Sequence, residues 1–217
     1  MKDLIRHPIF PFAAPFVLFM LLLAARDLHE HAVYLTYPIT VFAVGLTIGY
    51  IWHRLPPVRF TRPLASTLLG LAGTVLWVGL YPWLGKSNPD PSEGFNPGLF
   101  ESTAIQWGLI AFRMAGFVLV VPIMEEIFWR GFLQRFLVNE DFEKVDLGHF
   151  TLFSFAATTG MFVLAHADQW GVALLWGTLA GWWFIRTKSL GDVILLHAVT
   201  NLALGIYVLV TKKWYFW

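Results

Sequence analysis

The 217-residue chain contains no cysteine. That excludes disulfides, thiolate nucleophiles and cysteine-ligated zinc together, and it leaves the redox compartment unread. Charge is scarce too: charged residues make up 13% of the chain against 57% hydrophobic, and mean hydropathy is +0.63. The water-facing surface of an ordinary globular domain cannot be built from this balance, so the chain reads as a polytopic membrane protein. A net charge of +1, from 15 basic and 14 acidic residues, lacks the basic face that nucleic acid demands. No internal repeat or low-complexity tract is present, and one membrane domain over residues 1–217 is the simplest organisation.

Uncharged runs occupy residues 8–25, 34–52, 63–85, 150–165, 169–185 and 193–211, and the run 102–124 is interrupted only by Arg113. A bilayer core asks for about 20 apolar residues per helix, so the expectation is an all-α transmembrane bundle of about seven to eight membrane helices. The first run exceeds the roughly 7–15 residues of a signal-peptide core and more spans follow it, so it reads as an anchor. The breaker-rich stretch 85–101 divides anchor helices (1–84) from a second half (102–217) that carries every chemically suggestive fragment. With the N-terminus inside, Lys2, Arg6, Arg54, Arg59, Arg62, Arg130, Arg135, Lys144, Arg186 and Lys188 fall on the inner side, against Arg26, Lys86, Lys212 and Lys213 outside. The positive-inside rule then favours N-in, C-out. Gly45-x-x-x-Gly49 and Gly177-x-x-x-Gly181 have the spacing of close helix contacts within a bundle. Trp52, Trp83, Trp107, Trp170, Trp214 and Trp217 fit interfacial belts.

Three polar fragments interrupt this apolar background. In Glu125-Glu126-x-x-x-Arg130, helical spacing stacks Glu126 with Arg130, while Glu125 points about 100° away and stays free as a base that poor solvation keeps reactive toward water. The alternative is an interfacial segment with both acids in headgroup water. In Phe162-x-x-x-His166 the phenyl ring shields the imidazole one turn on, and a lone histidine near a helix end also reads as a structural hydrogen-bonder. His197-x-x-x-Asn201 places two polar side chains on one face inside an apolar run, where they demand partners. Aimed at one point they form an oxyanion hole, and otherwise they are interhelical hydrogen-bonding groups.

Together, Glu125, Glu126, Arg130, Phe162, His166, His197 and Asn201 resemble, in order and spacing, the pattern of the CPBP family, the CAAX proteases and bacteriocin-processing enzymes also called ABI intramembrane proteases. Gly131, after the arginine, looks like part of the family's motif helix. The resemblance covers roughly 120–205, and it extends to the small CAAX-related proteins that accompany exosortase systems. It implies a glutamic endopeptidase without metal or other cofactor: Glu125 and His166 activate water, His197 and Asn201 hold the oxyanion, and Glu126 with Arg130 positions substrate or secures the helix. Cleavage of a membrane-associated peptide or protein near the cytoplasmic leaflet of a bacterial inner membrane is the expectation, with the lipid bilayer as the other partner.

Other readings use the same residues. Two histidines and a glutamate could bind zinc, although Asn201 is a poor zinc ligand, and a non-catalytic membrane scaffold could keep the set as packing groups. Other protease motifs are absent. His29-Glu30-His31 is followed at position 33 by Val33, which breaks His-Glu-x-x-His and leaves these histidines as loop residues; Ser189-Leu190-Gly191-Asp192 is not Gly-x-Gly-Asp, and no Gly-x-Ser-Gly occurs. Arg113, in mid-span, is expected to pair with a carboxylate, hold a substrate C-terminus or reach lipid headgroups. Straight helices would leave His166 and His197 at opposite membrane faces, so convergence requires a tilted, deeper or incompletely crossing helix between 150 and 186.

Overall fold

The computed structural model describes residues 5–24, 32–86, 89–90 and 94–217. His29, Glu30 and His31 lie outside the described residues, as do Lys2 and Arg26. Every apolar run became a helix: α1 (Phe10–Leu23), α2 (Val33–Ile51), α3 (Pro63–Leu84), α4 (Thr103–Phe136), α5 (Leu152–Ala165), α6 (Trp170–Thr187) and α7 (Leu190–Thr211). The molecule is an all-α membrane bundle. By length and composition, α2, α3, α4 and α7 are long and apolar enough to cross a membrane, while α1 and α5 are shorter apolar helices. The lipid-facing sides carry exposed Leu35, Phe42, Leu64, Val75 and Leu164. Burying such side chains in lipid replaces the folding gain they would bring in a soluble core.

Helix ends follow local chemistry. Pro63 opens α3 at a position where a missing N–H costs nothing. The buried Asp192 carboxylate accepts the N–H groups of Thr61 and Arg62 and the Thr61 hydroxyl, so the first turn of α7 caps the entry to α3. Thr151 and Ser189 cap α5 and α7 through their side-chain oxygens. Arg135 closes the last turn of α4, donating to the carbonyls of Gly131, Val145 and Glu143.

At the centre, α7 packs on α3, α4 and α6, while α1 and α2 pack against each other and α4, and α5 fills the side between α4 and α6. The α3–α7 contact is the most extensive. A Cβ on Gly70 would meet the Leu196 carbonyl at 2.6 Å, and one on Gly73 would meet Thr200 and Trp176 at 3.0 Å. Hydrogen bonds from Thr74 to the Thr200 carbonyl (3.0 Å) and from Thr200 to the Gly70 carbonyl (2.9 Å) tie the pair. Gly177 and Gly181 do make room for a neighbour, the Phe162 and Phe155 rings of α5. Gly45 and Gly49 do not: a Cβ on Gly45 would touch only Val120 at 3.9 Å, and Gly49 faces open space. Spacing alone could not tell a contact stripe from a lipid-facing one.

The long α4 is not a uniform helix. Two segments adopt wider π turns, Gly116–Val120 and Ile127–Leu133, and they flank the short α-helical piece Val121–Glu126. The Val121 N–H bonds the Gly116 carbonyl, five residues back. In that frame the donor for the Phe117 carbonyl would be residue 122, which is proline and has no N–H. A backbone carbonyl in the middle of the bundle is thus left for a side chain to satisfy.

Candidate active site

Asn201 takes up that carbonyl. Its Nδ2 donates to the Phe117 oxygen at 2.7 Å, which uses one of two amide hydrogens and leaves the second, with Oδ1, available. One turn earlier on α7, His197 Nδ1 lies 2.8 Å from Glu126 Oε1. A carboxylate only accepts, so Nδ1 carries the hydrogen. Arg130 completes the group, with Nη1 at 3.0 and 2.9 Å from the two Glu126 oxygens and Nη2 donating to the Gly177 carbonyl at 3.3 Å. Glu126, Arg130 and His197 are all buried, and each charge has an opposite or hydrogen-bonding partner, as burial demands. The expected Glu126–Arg130 pair therefore exists, and it also fixes a histidine from a different helix.

Glu125 has none of these partners. It is buried, forms no ion pair among the described residues, and its Oε2 is enclosed without a hydrogen bond. Its free edge lines a cavity of about 370 Å³ whose wall includes His166, His197, Asn201 and Arg113. Glu126 and Arg130 are not in that wall; they stand behind it. His166 Nδ1 donates to the Phe162 carbonyl at 2.9 Å, which turns Nε2, with its lone pair, into the ring's free nitrogen. The Phe162 ring lies against that imidazole, centroids 4.3 Å apart.

The two histidines share a cavity, and α5, the helix that carries the first, is short. Its 14 residues rise only about 21 Å, against an apolar bilayer core of about 30 Å, so the chain turns at His166 before a full crossing. Trp176 of α6 bridges the remaining gap, its ring 5.4 Å from Phe162 and 4.5 Å from His197. Sequence reasoning did not single out Trp176, nor Trp77 and Gln169, which join across the cavity through a 3.0 Å hydrogen bond. An indole in a run that is hydrophobic on all sides carries no positional signal.

Arg113 also behaves differently from a simple ion pair. Its guanidinium carbon lies 4.4 Å from the Tyr37 ring centroid and 5.6–5.9 Å from those of Phe95, Phe117 and Trp217. Among the described residues no carboxylate forms an ion pair with it, and its Nε is enclosed without a hydrogen bond. Trp217 belongs to this aromatic surround and to the cavity wall, unlike Trp83, Trp107 and Trp170, which are exposed as belt residues should be. Among the described residues, no three His, Asp or Glu side chains gather in a way that would hold a metal ion.

No curated protein and no solved structure matches the chain significantly. Residues 106–203 match the family model described as Rce1-like, type II CAAX prenyl endopeptidase. That stretch begins just before Arg113, ends just after Asn201 and contains each of the three motifs. Over residues 106–203 the chain is thus similar to the Rce1-like, type II CAAX prenyl endopeptidase family.

Proposed function

We propose that the cavity is the active site of a glutamic intramembrane endopeptidase, in which Glu125 is the general base. The observation that carries this reading is the contrast between two adjacent glutamates: Glu126 is paired with Arg130 and His197, whereas Glu125 is buried, forms no ion pair among the described residues and faces the same cavity as His166 and Asn201. An idle carboxyl at that depth would cost several kcal/mol. A water in the cavity gives its proton to Glu125 while His166 Nε2 orients it, and its oxygen bonds to the substrate carbonyl carbon. The oxygen of the tetrahedral intermediate accepts the second amide hydrogen of Asn201. The His197 ring, held at Nδ1 by Glu126, adds its Nε2 side to that oxyanion pocket. Return of the proton from Glu125 to the departing nitrogen breaks the C–N bond and leaves an acid and an amine. The Glu126–Arg130 pair acts by holding His197 and α4, out of contact with the peptide. We assign the protein to the bacterial inner membrane on the charge pattern of its loops and the family resemblance.

Comparison of membrane-protein termini in cells expressing the wild type or Glu125→Gln tests this. New termini should appear with the wild type alone, with turnover by the variant lowered about 10²-fold or more. The same termini at equal abundance with folded Glu125→Gln protein would remove Glu125 from the role of base.

A further inference from the structure

The bundle has two distinct ends. One carries Arg54, Arg59, Arg62, Lys144, Arg186 and Lys188, all on short connections or last helical turns. This end is knitted together by Asp192 to Thr61 and Arg62, by Arg54 to the carbonyls of Ile5 and His7, and by Arg135 to those of Glu143 and Val145. The other end is formed by the last turn of α1, the start of α2, the end of α3, the start of α4, the α5–α6 turn and the segment after α7. Its basic residues, among those described, are Lys86, Lys212 and Lys213.

The cavity belongs to this second end. Leu23 is the last residue of α1, Tyr37 lies in the first turns of α2, and Ala165, His166 and Asp168 form the α5–α6 connection. Its exposed rim includes Ala165 and Asp168. Among the described residues, none of the wall comes from the connections at the basic end. Short connections are where the excess of Lys and Arg reports orientation, so the basic end is the cytoplasmic one. The expectation of cleavage near the cytoplasmic leaflet rests on the motif residues alone, whereas the cavity they line extends to the opposite end.

We infer that the catalytic cavity opens toward the non-cytoplasmic side of the membrane, and that its substrates are polypeptides whose scissile segment is reached from that side, exported or membrane-anchored chains as opposed to the tails of cytosolic proteins. This rests on the reading of the cavity as the active site, but orientation is measurable without any proteolysis.

The natural chain has no cysteine, so single cysteines report cleanly. Asp168→Cys marks the cavity rim and Glu140→Cys the opposite end; both positions are exposed. Spheroplasts of a bacterial host expressing each variant are treated with a membrane-impermeant maleimide before and after permeabilisation. Asp168→Cys should label in intact spheroplasts, and Glu140→Cys only after permeabilisation. The reverse pattern overturns the inference, as does equal labelling of both before permeabilisation, or an Asp168→Cys that labels only afterwards. Any of those results leaves the protease assignment standing, whereas loss of the termini difference with Glu125→Gln would strike that assignment and leave the orientation untouched.

Discussion

Glu126 and Glu125 are neighbours in sequence with opposite physical situations, and substitution should separate them. Glu126→Gln leaves the Arg130 guanidinium, 1% exposed, without its counter-charge. Breaking a buried pair in this way costs about 3–5 kcal/mol, so the variant should unfold at clearly lower temperature in detergent, with activity falling alongside. An unchanged melting temperature would show that the pair contributes little. Asn201→Ala separates two roles of one amide. As a membrane interhelical hydrogen bond its link to Phe117 is worth on average ~0.6 kcal/mol, while loss of an oxyanion donor lowers turnover about 10²–10³-fold. The expected result is a nearly unchanged melting curve with strongly reduced turnover and little change in KM. A destabilised protein whose folded fraction cleaves normally would return Asn201 to a purely structural role.

Within α4, the chemistry depends on where the helix departs from regular winding. Pro122 removes the donor that the Phe117 carbonyl would otherwise receive in the wider turn, and the Asn201 amide supplies one instead. Pro122→Ala restores an N–H that competes with Asn201 for that oxygen. Because proline inside a helix costs about 3 kcal/mol, the variant should be as stable as the wild type or more so, yet turn over more slowly as Asn201 loses its anchor. Stability and turnover measured on the same preparation check this; a faster or unchanged rate would mean that the Phe117 contact does not orient the amide. Much of this element was legible beforehand. The Glu126–Arg130 pairing and the unpaired state of Glu125 follow from spacing four and one along a helix. The two π segments and the link from Glu126 to His197 were not, because a change of winding and a contact 71 residues apart leave no local periodicity to read.

The bundle as a whole mixes long and short helices, and the short ones lie where the site is built. The 14 residues of α1 and of α5 span about 21 Å each, so the surrounding bilayer must thin or the helices must end below its surface. Reconstituted protein should therefore melt at higher temperature in short-chain than in long-chain phosphatidylcholine; the opposite order would indicate that neighbouring helices fully shield these ends from lipid. Composition and the spacing of apolar runs by themselves determined that this is an all-helical membrane protein, where its helices lie and which polar residues are out of place in them, because hydropathy and the 3.6-residue repeat are local properties of the chain. Only the tertiary structure decided that Gly70, Gly73, Gly177 and Gly181, and not Gly45 and Gly49, make close helix contacts, that Arg113 sits among aromatic rings, and that Glu125, His166, His197 and Asn201 share one cavity that runs toward the end opposite the basic loops. Those facts depend on how far each helix rises before it turns and on which face it presents to its neighbours. They are set by packing between segments far apart in the chain, which no window of sequence contains.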